Sequence, residues 1–155
     1  MPEGQLQIPP GLIVVTTYGQ IAQQTAKCLM DARAFNDKQG LTNLGYEMFP
    51  GALVEKARNE AARTMLKNQH GFLIMIDGDM QFAPDAILAL IQSAYGHMPQ
   101  ADVMGAWCPL RGEMALPTID QGSGTWESIF PGSGIVPVMR TGGAFLLVKR
   151  HAFQG

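Results

Sequence analysis

The sequence predicts an α/β fold with a mostly parallel sheet covered by helices on both faces. Short apolar runs rich in β-branched residues alternate with longer stretches whose apolar residues recur every three or four positions. The alternation reads βαβαβαβ, an order that implies parallel strands joined by helices. Asp77 and Asp79 directly follow the most apolar run, where an open parallel sheet gathers its ligands.

An irregular lead-in with Pro9, Pro10 and Gly11 precedes a buried strand at Leu12 to Thr16. Thr17-Tyr18-Gly19 turns the chain into a helix expected from Gln20 to about Phe35. Its apolar stripe is Ile21, Thr25, Cys28, Leu29 and Ala32. Asn36 to Asn43 is polar and turn-rich, and Leu44 to Phe49 is a second, weaker strand broken by Pro50-Gly51. Ala52 to Asn68 reads as a strong helix, with Val54, Ala57, Ala61 and Met65 on one face. Phe72 to Ile76 is the best strand. Pro84 and Asp85 suit the first turn of the next helix, whose stripe is Ile87, Leu90, Ile91 and Ala94 and which Gly96 can end. Ala101 to Trp107 is a further strand. Residues 109–137 are rich in Gly and Pro without periodicity and read as a long loop, with a short strand candidate at Trp126 to Phe130. Gly143 to Val148 is the last strand candidate.

The chain has 155 residues, 46% hydrophobic and 15% charged, which suits one globular domain over 1–155. A net charge of −2 without a basic tract argues against a nucleic-acid surface. Apolar runs of about five residues fall far short of the roughly 20 that span a bilayer. The start, MPEGQLQIPPG, lacks the basic-then-apolar pattern of a signal peptide, so a cytoplasmic location is expected. Cys28 is expected as a reduced core thiol, and two cysteines make no disulfide framework. His70, His97 and His151 stand alone, without zinc-site spacing.

Two carboxylates one residue apart repel, and something must offset that repulsion. Hard oxygen ligands on a tight turn suit Mg²⁺ or Mn²⁺, which keep open positions for water and substrate phosphates. A solvated Asp-Gly turn is the plain alternative. Gly78 lets the backbone turn and a ligand approach. On a helical wheel Arg58 falls about 40° from Val54, beside the buried face, whereas Arg63 falls about 180° away and faces water. An arginine there needs an anionic partner, either a ligand phosphate or one of the aspartates in a structural ion pair. Asn59 can share that neighbourhood or belong to the outer polar row Glu55, Asn59, Arg63. Thr16, Thr17 and Tyr18 end the first strand on the same rim and either hold a base or ribose or serve as ordinary turn residues. Gly142-Gly143 either admits a sugar or marks a tight bend. Trp107 is expected in the core, while Trp126 is a core residue or a stacking platform.

Three patches, ARNEAARTML at 57–66, FLIMIDGDMQFAPDAILALI at 72–91 and RTGGAFLLVKRHAF at 140–153, together resemble a nucleotide-sugar-dependent glycosyltransferase of the GT-A type. The resemblance is to family 2-like members of bacteria and phages. It implies a three-layer α/β/α Rossmann-like domain that moves a sugar from a nucleotide-diphosphate sugar to an acceptor it does not name. It also implies a D-x-D motif, Asp77-Gly78-Asp79, holding Mn²⁺ or Mg²⁺ as metal ligands. Asp79 would be the more direct ligand and Asp77 would lie nearer the ribose and sugar. Thr16, Tyr18, Arg58, Asn59, Asp77, Gly78, Gly142 and Gly143 are the expected donor-binding residues.

Family members usually continue further and carry a later acidic motif for the catalytic base, and sometimes a metal-binding histidine. This chain ends soon after His151, so the domain is expected to be incomplete at its C-terminus or its site completed otherwise. Glu113, Asp120 and Glu127 are open candidates for the base. Glu47 poorly replaces the base-binding aspartate often found on the second strand. Two other readings stand beside the transferase: a truncated, non-catalytic nucleotide-binding module, and a HAD-type phosphatase with Asp77 as nucleophile. The phosphatase pattern usually closes the first strand and has Thr or Val where this chain has Gln81. Sugar-1-phosphate nucleotidylyltransferases carry a Gly-rich, Arg-containing motif after the first strand that is missing here.

Overall fold

The computed structural model describes residues 6–51, 53–108, 119–120 and 134–154. The chain has an α/β fold built on a mixed five-stranded sheet. Its elements are β1 (Gly11–Thr17), α1 (Gln23–Lys38), β2 (Leu44–Pro50), α2 (Val54–Lys67), β3 (Phe72–Asp77), α3 (Ala86–Gln92), β4 (Val103–Gly105), β5 (Ile119–Asp120), β6 (Arg140–Thr141) and β7 (Phe145–Lys149). The sheet runs in the order β2-β1-β3-β7-β4, and β5 pairs with β6 in a separate ribbon.

Each expected strand and helix from β1 to β4 forms, with shifted ends. The helix expected from Gln20 begins at Gln23. The intervening residues do other work, since the Ala22 N–H donates to the Gly78 carbonyl at 2.8 Å. Asn36 is no loop residue: it is buried in the last turns of α1, and its Nδ2 donates to the Tyr46 hydroxyl at 3.0 Å. Gly96 does not end α3 cleanly. A π-helical turn, Ser93–His97, follows Gln92 and contains it.

Two cores lie on opposite faces of the sheet. Ile13, Val15, Phe72, Ile74 and Ile76 face Ala32 of α1 and Ile87, Leu90 and Ile91 of α3. Leu12, Val14, Leu73 and Met75 face Ala61 and Met65 of α2. Every residue of β1 and β3 between the ends is therefore buried, which is why both strands read as unbroken apolar runs rather than alternating ones.

The largest departure from expectation concerns the last strand. β7 runs antiparallel and inserts between β3 and β4, pairing with both. A parallel strand needs a long crossover, usually a helix, to return the chain to the starting edge. Residues 109–137 have no helical periodicity, and Gly142 and Gly143 enter β7 from the end of the sheet where β3 finishes. The chain can then only run back down, so Phe145 pairs with Ile76 and Lys149 with Phe72.

Cys28 is half-buried rather than a core thiol, because it sits at the margin of the α1 stripe. Cys108 is the buried cysteine, and burial, followed by the charge of Asp77, pushes its thiol up to about 11. Trp107 is not in the core: it is 38% exposed and lines a cavity of about 700 Å³ beside α3 and β4, with Met104 and Leu90. The strand candidate at Trp126 to Phe130 lies outside the described residues, as do Glu113 and Glu127. Among the described residues no helix is long and apolar enough to cross a membrane.

Candidate functional site

The chain leaves β1 through α1 to reach β2 on one side, then crosses back through α2 to β3 on the other. The carboxyl ends of β1 and β3 therefore flank a crevice at a reversal of strand order, the place where open α/β sheets bind ligands. A pocket of about 490 Å³ lies there. The end of β1 and the turn after it contribute Thr16, Thr17 and Tyr18, the start of α2 contributes Val54, Ala57 and Arg58, and the end of β3 and its turn contribute Asp77, Gly78 and Asp79.

Backbone bonds set the aspartate turn against β1. The Gly78 N–H donates to the Thr16 carbonyl at 2.9 Å, and the Gly78 carbonyl accepts from Ala22. Gly78 is needed for this close approach rather than for an unusual backbone angle. A Cβ there would lie 2.9 Å from the Thr17 Cβ and 3.2 Å from the Thr16 carbonyl oxygen. Beyond the turn, Met80 and Phe82 pack onto the core, with the Phe82 ring 5.2 Å from that of Phe145. The stretch that reads as polar, D-G-D-M-Q-F, is thus anchored at both ends.

The offset for carboxylate repulsion comes in part from the protein itself. Arg58 Nη2 donates to Asp77 Oδ1 at 2.9 Å and also to the Gly143 carbonyl at 2.9 Å. Thr16 Oγ1 donates to the same Asp77 oxygen at 3.2 Å. The side chains of Arg58 and Asp77 are 29% and 33% exposed, so the pair borders the pocket without being engulfed. Arg58 Nε is buried without a hydrogen-bond partner among the described residues. That cost is tolerated because Nη2 serves two acceptors. Arg63 is 76% exposed, as its place on the wheel requires.

Six expected site residues therefore meet in one pocket: Thr16, Tyr18, Arg58, Asp77, Gly78 and Asp79. Gly143 joins them through its carbonyl. Asn59 does not line the pocket; it is exposed on α2, as the outer polar row predicts. Gly142 is also absent from the lining, and its carbonyl accepts from the Thr141 hydroxyl. Asp120 is buried in the β5–β6 ribbon, where Arg140 Nε lies 3.8 Å from Oδ2, and it does not line the pocket. His151 pairs with Asp102 beyond the Lys149 end of β7, at the opposite rim from the aspartates. Glu47 is exposed in mid-strand on β2. Gln20, Ile21, Ala22 and Gly51 line the pocket without having been anticipated. Gly51 was discoverable, since it follows β2 at the same rim as the ends of β1 and β3.

Among the described residues, no three His, Cys, Asp or Glu side chains gather into a ready-made metal cage. Two carboxylates on one turn, one of them exposed at the pocket, match the needs of Mg²⁺ or Mn²⁺, which draw their remaining ligands from water and phosphate. Asp77 Oδ1 is engaged by Arg58 and Thr16, and the Asp79 side chain is exposed at the pocket.

The sequence matches no protein-family model and no curated protein. Among solved structures the chain is similar to A197 from STIV, with a TM-score of 0.60 and 19% identity. The match covers 93% of this chain and 66% of A197, so the chain spans just under two thirds of that protein. At this identity the likeness speaks to the fold alone.

Proposed function

We propose that the chain is the donor-binding domain of a metal-dependent glycosyltransferase, a three-layer α/β/α Rossmann-like domain of GT-A type. The observation that carries this reading is the convergence of Asp77, Asp79, Arg58, Thr16 and Tyr18 on one pocket at the reversal of strand order. The pocket volume suits a nucleotide-sized ligand. Tyr18, 76% exposed at the pocket, offers a ring face for a base or ribose. Asp79, with the second oxygen of Asp77, would hold Mn²⁺ or Mg²⁺ against the donor diphosphate. When bound, that ion supplies positive charge to the departing nucleoside diphosphate. Arg58 adds a fixed positive charge on the pocket wall, and the apolar walls from Val54 and Ala57 exclude water from one side of the ligand. An acceptor hydroxyl, giving its proton to a base, would attack the anomeric carbon as the bond to the nucleoside diphosphate breaks.

Titration with UDP- and GDP-linked sugars, with and without Mn²⁺, tests the reading. Binding of one donor class is expected to strengthen with Mn²⁺ and to weaken at least tenfold in Asp79→Ala, the lower range for loss of a metal-site residue. Binding indifferent to both the ion and Asp79 would end the proposal. A non-catalytic nucleotide-binding module is favoured instead if the donor binds in this way but no sugar is transferred or hydrolysed. The phosphatase reading draws less support, because the motif closes the third strand of the chain rather than the first, and Gln81 stands where that pattern has Thr or Val.

A further inference from the structure

We propose that Arg58, Gly143 and Asp77 act as one positioning unit that sets the cation affinity of the D-G-D turn. The inference rests on the transferase reading above and assigns Arg58 and Gly143 a role in it beyond contact with the donor. Arg58 Nη2 spends its two hydrogen bonds on acceptors from neighbouring parts of the sheet, Asp77 Oδ1 and the Gly143 carbonyl, each at 2.9 Å. The two segments are also joined directly, since the Asp77 N–H donates to the Ala144 carbonyl at 2.9 Å. Thr16 completes the restraint on Oδ1 from the β1 side. A carboxylate with one oxygen held from two directions keeps a single orientation, which leaves its second oxygen for a cation beside Asp79.

Gly143 is part of the unit for a steric reason. A Cβ at that position would lie 2.4 Å from Arg58 Nη1 and 2.9 Å from Cζ and Nη2. The guanidinium occupies the space a side chain would need, so any larger residue at 143 displaces Arg58 and, through it, Asp77. The glycine ahead of β7 and the arginine on α2, 85 residues apart, therefore specify one arrangement.

Arg58→Lys and Gly143→Ala isolate this role, because both keep the positive charge near the aspartates. Lysine keeps the charge but loses the planar fork, and alanine keeps the fork but evicts it. Mn²⁺ alone, titrated calorimetrically into the full chain without donor, is the readout. Each variant is expected to bind Mn²⁺ about tenfold more weakly than the parent. The double variant is expected to bind no more weakly than the poorer single, because both remove the same restraint. Parent-like affinity in Arg58→Lys, or losses that multiply in the double variant, would overturn the positioning unit while leaving the metal site intact. A parent chain that binds no Mn²⁺ while still binding the donor would instead overturn the metal-dependent reading and this inference with it.

Discussion

Replacing Arg58 with methionine tests the ion pair on which the geometry of the pocket depends. Methionine keeps most of the aliphatic stem that borders the α2 face and removes the guanidinium. Two unit charges about 4 Å apart attract by about 4 kcal/mol at an effective dielectric near 20. Part of that is returned because both side chains are about a third exposed. The pair lies between exposed pairs, worth about 0.2–1 kcal/mol, and buried ones, whose disruption costs about 3–5 kcal/mol. The Gly143 carbonyl also loses its donor. A net loss of about 1–2 kcal/mol follows, or about 2–8 °C in Tm for a chain of this size. Urea denaturation followed by circular dichroism measures it, with Asp77→Asn and the double variant closing a cycle whose coupling should be about 1 kcal/mol. A loss below about 0.5 kcal/mol, the range of ordinary surface substitutions, or a cycle without coupling would refute the reasoning.

Gly78→Ala should destabilise the chain by about 1–3 kcal/mol, since its Cβ must push against β1 where neither the Thr17 Cβ nor the Thr16 carbonyl can yield cheaply; parent-like urea stability would show that the turn is not pressed onto β1. Burial raises Cys108 from 9.0 to about 11 and Tyr95 from 10.0 to about 12, so the folded state keeps protons that the unfolded chain releases. Their contribution is present in full below about pH 9 and is lost as pH rises from there toward 12. Lys149 acts with the opposite sign: burial lowers it from 10.5, so the cost of its buried charge is relieved as pH climbs through the window just below that value. Tyr46, raised by burial, and Lys27, raised by its hydrogen bond to Asp31, act in the same direction as Cys108 and Tyr95. With four groups against one, the urea midpoint should fall between about pH 9 and 11, and Cys108→Ala should flatten the early part of the fall; a midpoint that rises over this range would contradict the assignment.

Much of this protein is legible along the chain because burial on both faces leaves an unmistakable mark. β1 and β3 are apolar at nearly every position, and Ala57, Ala61 and Met65 repeat at helical spacing. The nearness of Arg58 to the sheet follows from the same wheel, as does the exposure of Arg63. The lining of the candidate pocket was legible as far as the rule about strand ends extends, which covers Thr16, Tyr18, Asp77, Gly78 and Asp79. It failed for Asn59, because adjacency in sequence on a helix means a separation of about 100° around it. It failed for Cys28, which sits at the margin of the α1 stripe, whereas Thr25 and Ala32 of the same stripe are buried.

The linear sequence by itself determined the segments that form β1 to β4, β7 and the three α-helices, though not the β5–β6 ribbon, and that two carboxylates stand at the end of the strand β3. Only the tertiary structure decided the direction of β7, the partner of Asp77 and the reason for glycine at 143. Local periodicity records whether a side chain meets water or core, and each residue carries that information alone. The partner of an ion pair and the course of a returning strand depend on contacts between segments far apart in the chain, and periodicity holds no record of those.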